Sequence, residues 1–219
     1  MSIIVALDYT NPLKALEMAA KLRDHVDGFK INHALWSQSV YIKDYTDKEL
    51  FIDCKLWDTP NTIRTVVEKI IAKGATMTTI STFNNPEVFE TLKQYNNDIS
   101  LLGVTSLTSW SSVEELHLYK QTSRDIWKEH IDKIIHNFDG IVCSVPDLHH
   151  IDKVDPHYDL IRVCPGIKER QRTLSGQAKT ETAVAAMRAG ADYVVIGRSI
   201  TEASDPVEKV KEIYDSLHS

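Results

Sequence analysis

No apolar run in the sequence approaches the ~20 residues of a membrane-spanning helix. The opening residues Met1-Ser2-Ile3-Ile4-Val5-Ala6-Leu7-Asp8 have no basic flank, and Asp8 interrupts their apolar stretch. That segment reads as a strand rather than a signal peptide, and a cytoplasmic location is the expectation. Cysteine is scarce. Cys54, Cys143 and Cys164 lie far apart in or beside apolar runs, which suits buried thiols and not a disulfide frame or a zinc site. Positive charge is also in deficit. A formal net charge of −6 argues against a surface that coats nucleic acid. It leaves room for one phosphate, which local amides and a single arginine can hold. A Gly-x-Gly-x-x-Gly turn is missing after the first strand, where Asp8-Tyr9-Thr10-Asn11-Pro12 stands instead, so an open dinucleotide-binding sheet is the weaker architecture. His149 and His150, read as neighbours on a strand, point apart and have no ligand-spaced carboxylates around them, so no metal site is expected there.

The 219 residues, 42% of them hydrophobic and 26% charged, suffice for one globular domain spanning 1–219. Short apolar, β-branched runs recur along the chain: Ile3–Leu7, Gly28–Ile31, Leu50–Lys55, Thr76–Thr82, Ile99–Thr105, Gly140–Ser144, Leu160–Cys164 and Tyr193–Gly197. Runs without polar alternation suit strands buried on both faces of a parallel sheet. Between them lie amphipathic stretches, such as Ala15–Leu22, Thr62–Ala72, Ala183–Ala189 and Val207–Leu217. Asn11-Pro12, Thr59-Pro60 and Asn85-Pro86 mark helix starts, and Gly74 and Gly190 mark helix stops. The alternation implies βαβ units, and eight of them fit a compact α/β fold of the (β/α)₈ barrel type. The longest insertion, 109–139, has helical character and is expected to add helix outside the barrel.

The third run ends in Asp53-Cys54-Lys55-Leu56-Trp57-Asp58-Thr59-Pro60-Asn61-Thr62. Strand periodicity puts Asp53 and Lys55 on one side and Ile52 and Cys54 on the other. Asp58 follows in the loop, within reach of Lys55 or of a neighbouring subunit. A lone Asp-x-Lys reads as a salt bridge closing the barrel. Lys30 and Asp8, however, end the second and first runs the same way, and charges gathered at three adjacent strand ends mark the catalytic mouth of such a barrel. At the other side, Pro165-Gly166-Ile167-Lys168 follows the seventh run and Gly197-Arg198 the eighth. Loops after these two strands form the recurrent phosphate site of barrels, where Gly197 admits the ligand to the backbone and Arg198 supplies a forked contact. The polar stretch Lys168–Gln177 is a candidate lid.

With these motifs in place, the whole chain resembles the orotidine 5′-monophosphate decarboxylase family. The likeness rests on Leu7-Asp8, Lys30, Asp53-x-Lys55-x-x-Asp58-x-Pro60-Asn61-Thr62, Leu107-Thr108-Ser109, Pro165-Gly166-Ile167, Gln177 and Gly197-Arg198. The Pro-Asn-Thr continuation distinguishes this family from relatives on the same barrel that share only Asp-x-Lys-x-x-Asp. The resemblance implies a cofactor-independent decarboxylase acting on a pyrimidine nucleotide, with Lys55 as proton donor in a chain of alternating charges Lys30, Asp53, Lys55 and Asp58. It further implies a homodimer in which Asp58 crosses the interface. Asp8 and Lys30 would touch the ribose, Thr108 or Ser109 the pyrimidine edge, and Gln177 the base and phosphate together. Thr62, Pro165 and Lys168 complete the expected substrate contacts.

Three positions depart from the family pattern: Thr59 for isoleucine, Lys168 for arginine, and Thr182-Ala183 for Thr-Pro. None removes a charged catalytic residue. Two other readings compete, a metal-dependent sugar-phosphate decarboxylase or aldolase on the same barrel, and a nucleotide-binding barrel without turnover. His33 reads equally as a pocket or a capping residue. Trp36, Trp57, Trp110 and Trp127 read as packing residues, because no basic stripe accompanies them.

Overall fold

A computed structural model describes residues 2–37, 42–44, 46–105, 107, 112–121, 123–154, 159–168 and 182–218. Eight parallel strands, β1 (Ser2–Ala6), β2 (Gly28–Asn32), β3 (Glu49–Leu56), β4 (Met77–Ser81), β5 (Ser100–Val104), β6 (Gly140–Val142), β7 (Ile161–Cys164) and β8 (Tyr193–Ile196), close into a barrel in chain order. Closure is made by β1 on β8, with Ser2 opposite Tyr193 and Val5 opposite Ile196. The main crossover helices are α1 (Pro12–Leu22), α3 (Pro60–Ala72), α4 (Pro86–Leu92), α6 (Ser123–Asn137), α7 (Val145–Val154), α8 (Ala183–Arg188) and α10 (Pro206–Leu217). Shorter helices α2 (His33–Trp36), α5 (Ser112–Tyr119) and α9 (Arg198–Thr201) sit at strand ends or in the long insertion. Among the described residues, no helix is long and apolar enough to cross a membrane.

The helix starts follow the proline signals. Pro12, Pro60 and Pro86 occupy the first turns of α1, α3 and α4, where a missing N–H costs nothing. Asn11 and Asn85 cap two of them through their side-chain oxygens, at 2.9 and 3.1 Å. Thr59 makes no such cap; its hydroxyl meets that of Thr62 at 3.0 Å. Gly74 and Gly190 stop their helices at φ +75° and +94°, a conformation that costs glycine little.

Two apolar cores result, because every strand is covered on both faces. Ile52, Cys54 and their equivalents pack outward under the helices, while Ile4, Phe51, Met77, Leu102, Val142 and Val163 fill the barrel interior. Each large side chain so buried contributes about 1.5–3 kcal/mol. The insertion is docked by His130 of α6, a buried imidazole whose Nδ1 meets the Thr82 hydroxyl at 2.8 Å and whose ring lies 4.3 Å from that of Phe83. Burial holds this imidazole below its ordinary pKa.

Candidate active site

Moving up the strands by twos carries the inward face from floor to mouth. On β1 and β3 the steps run Ile4, Ala6, Asp8 and Phe51, Asp53, Lys55; on β8 they run Val195, Gly197. The floor is therefore apolar and the mouth is divided. Its β1–β3 side carries charge, whereas Val104, Val142, Val163 and Val195 give the opposite wall an apolar surface. A cavity of about 820 Å³ opens there, within the range of pockets that enclose small molecules.

Four charges form a continuous row on the charged side. The Lys30 Nζ lies 3.1 Å from Asp8 Oδ1 and 3.7 Å from Asp53 Oδ2, and the Lys55 Nζ donates to both Asp53 oxygens at 2.7 and 2.8 Å. Thr79, wholly buried on β4, secures the row from behind. Its hydroxyl donates to Asp53 Oδ1 at 2.9 Å and accepts from the Lys55 backbone N–H at 2.8 Å. Asn32 adds a donor to Asp8 at 3.1 Å. An ammonium carries three N–H groups, so among the described residues Lys55 has one left for the cavity.

Lys55 reaches this position by leaving regular strand geometry. Its φ is +48°, and the pairing of β3 with β4 shifts register between Ile52 and Leu56. A left-handed non-glycine residue costs roughly 1–2 kcal/mol, an expense that clusters at functional sites. The Thr79 and Asp53 hydrogen bonds offset it. Strand alternation correctly places Asp53 and Lys55 together, but it holds no hint of this kink.

Burial pushes the Asp53 carboxyl up, yet Lys55 and then Lys30, with hydrogen bonds from Lys55 and Thr79, outweigh burial and hold it below the ordinary carboxylate value. A carboxyl of lower pKa in the folded chain binds fewer protons there than in the unfolded chain. Its stabilisation is complete above the unfolded value of about 3.9 and is lost as pH falls through the folded one. The melting temperature is thus expected to fall on acidification below about pH 4, and Asp53→Asn to remove part of that slope. Identical slopes in the two proteins would eliminate Asp53 as the group responsible. Cys54, on the back of the same strand, is buried and its thiol is pushed up to about 12, first by burial and then by Asp53. Cys54, Cys143 and Cys164 are all free and buried, as expected.

After β7 and β8, Pro165, Gly166, Lys168, Gly197 and Arg198 line the same cavity. A Cβ on Gly197 would meet only Ala6, at 3.6 Å, so space there is available to a ligand. Tyr9, Leu107, Ile167, Thr201 and Glu202 also line the cavity and were not anticipated as contacts. Burial raises the pKa of the Tyr9 phenol, with a hydrogen bond to Thr201 acting against it.

Asp58 and Thr62 stand apart from the row. Neither lines the main cavity; both face a separate groove of about 290 Å³ with His33, Trp57 and Val66. Asp58 Oδ1 accepts from the Thr59 N–H at 2.6 Å and makes no contact with Lys55. Trp57 is 73% exposed and does not pack into the core, whereas Trp36 packs against the outer core. His33 opens α2 at the surface and lines the groove, not the main cavity. His149-His150 lies in α7, a helix and not a strand, because Ser144 and Asp147 form a cap that starts it (Asp147 Oδ2 accepts from the Ser144 N–H at 3.0 Å). No group of three metal-ligating side chains occurs among the described residues. Thr108, Ser109, Trp110, Gln177 and most of the candidate lid lie outside the described residues, and Trp127 lies in α6.

A parallel barrel with a charged row and an anion-type rim at the C-terminal ends of its strands has the layout of a barrel enzyme. The chain belongs to the Orotidine 5'-phosphate decarboxylase / HUMPS family, which it matches over residues 1–213. It is 30% identical to the orotidine 5'-phosphate decarboxylase of Wigglesworthia glossinidia brevipalpis, covering 99% of this chain and 97% of that one. The Aquifex aeolicus protein of the same name is 31% identical, with 95% of each chain covered. Among solved structures, the orotidine 5'-phosphate decarboxylase from Lactobacillus acidophilus superposes with a TM-score of 0.84 at 24% identity, over 100% of this chain and 99% of that one. The Pyrococcus horikoshii structure gives 0.81, also at 24% identity, over 99% of each chain. These superpositions agree with the closed barrel derived above.

Proposed function

We infer that this chain converts orotidine 5′-monophosphate to uridine 5′-monophosphate and CO₂ in de novo pyrimidine biosynthesis, working as a single domain over 1–219 without a cofactor. The observation that carries the reading is the Lys55 ammonium, clamped by Asp53 with one N–H free toward the cavity. Loss of CO₂ from C6 leaves an electron pair in the ring plane, where the π system cannot absorb it. A fixed ammonium beside C6 stabilises that charge and then gives it a proton, leaving a neutral amine to be reprotonated from water. Asp53 crowds the departing carboxylate and holds Lys55 in place. The apolar wall receives the ring faces, Asp8 and Lys30 the ribose, and Thr108 or Ser109 the pyrimidine edge. Gly197, Arg198, Lys168 and Pro165 grip the phosphate end, and Gln177 bridges base and phosphate.

The same reading makes the protein a homodimer in which Asp58 and Thr62 serve the partner's site. Its support is the exposed Trp57 and the groove that both residues face, away from their own cavity. Three reduced thiols suit the cytoplasm.

The direct test is an absorbance assay with orotidine 5′-monophosphate, with and without a chelator. The expected result is turnover that EDTA leaves unchanged. Nucleotide binding without turnover would favour the non-catalytic barrel, and turnover abolished by EDTA the metal-dependent enzyme.

A further inference from the structure

Asn84 lies beside the site, is 6% exposed, and has no role in the chemistry above. It follows β4, and every polar atom of its side chain is used. The Nδ2 donates to Leu56 O at 2.9 Å and to Ser81 O at 2.8 Å, while Oδ1 accepts from the Asp58 N–H at 3.3 Å. The amide thus grips both sides of Trp57 and ties the link from β3 to α3 onto the end of β4. Trp57, at the middle of that link, is exposed and gives it no packing hold. The anchor itself is firm, because Thr82, two residues earlier, is fixed to Val104 O at 3.1 Å and to His130.

Lys55 does not depend on this clamp. Its backbone N–H is held by Thr79 and its ammonium by Asp53. Asp58 does depend on it: among the described residues, apart from its own contact with Thr59, the Asn84 amide is what holds its backbone. We propose that Asn84 is a positioning residue that presents Asp58 to the active site of a second copy of this chain, so that its effect falls on the partner's reaction and not on its own. The inference rests on the dimeric decarboxylase reading.

Such an effect in trans is separable by subunit complementation. Homodimers of Asn84→Ala, and of Asn84→Asp, which keeps the size but removes both donors, are expected to lose kcat on the order of a hundredfold, with KM within a few-fold of wild type. A hybrid dimer, isolated by two affinity tags after co-expression of Asn84→Ala with Lys55→Ala, contains one site with an intact Lys55 and an intact Asp58 link. It is expected to regain about half of the wild-type kcat. An Asp58→Ala and Lys55→Ala hybrid serves as the control and is expected to regain the same activity. If the control recovers and the Asn84 hybrid does not, Asn84 acts within its own protomer and the inference is overturned while the dimeric reading stands. If neither recovers, both fall. Variants at Asn84 that fail to fold, judged by thermal melting, would make the residue structural and also overturn the inference.

Discussion

Replacing Lys55 with alanine is expected to lower kcat by at least about four orders of magnitude, more than about 5 kcal/mol of barrier, while the Kd for uridine 5′-monophosphate stays within a few-fold of wild type. The split follows from where the ammonium sits. On the proposed mechanism it faces a charge that exists only as the bond to CO₂ breaks, so its contribution to ground-state binding is small and its contribution to the transition state is large. The fold should survive the change, because Asp53 keeps Thr79 at 2.9 Å and Lys30 at 3.7 Å and is not left as a bare buried charge. Circular dichroism and melting curves check that point. Equal losses in nucleotide affinity and in turnover would reduce Lys55 to an ordinary ligand contact.

Arg198→Ala is expected to lower kcat/KM by an amount on the order of 4–6 kcal/mol. Arg198 stands at the start of α9, just after β8, and lines the cavity. On the proposed reading its leverage comes from gripping a phosphate remote from C6, binding energy that is spent on ordering the closed site. A companion measurement isolates this cause. Orotidine, which lacks the phosphate, should be decarboxylated at the same slow rate by wild type and variant, because the arginine has nothing to hold. A loss near 1 kcal/mol with the full substrate, or an equal loss with orotidine, would reject the remote grip.

Much of this architecture is legible in the sequence. Parallel strands covered on both faces must be apolar throughout, so Ile3–Leu7 and Tyr193–Gly197 announce β1 and β8 to within a residue. Proline at Pro12, Pro60 and Pro86 announces helix starts for a local steric reason. The charged row is legible as well, because Asp8, Lys30 and the Asp53–Lys55 pair all fall at strand ends. What escaped notice belongs to tertiary contact. Thr79 and Asn84 are uncharged and lie in a segment that reads simply as strand and turn; only the fold brings them against Lys55 and Asp58. The α7 helix was missed for a different reason. Its Ser144-x-x-Asp147 cap and the buried Leu148 and Ile151 were present as signals, but the adjacent histidines drew a strand reading. Asp58 illustrates a further limit. Spacing leaves it within reach of Lys55 or of a neighbouring subunit alike, and only the fold turns it toward the Trp57 groove.

The left-handed backbone at Lys55 sets folding and chemistry against each other at one residue. Glycine would occupy φ +48° without the Cβ penalty that lysine incurs. A pressure for robustness alone would therefore push this position toward glycine, which has no side chain to carry a proton. The twist that aims the amine also makes the barrel wall locally less comfortable than a regular strand.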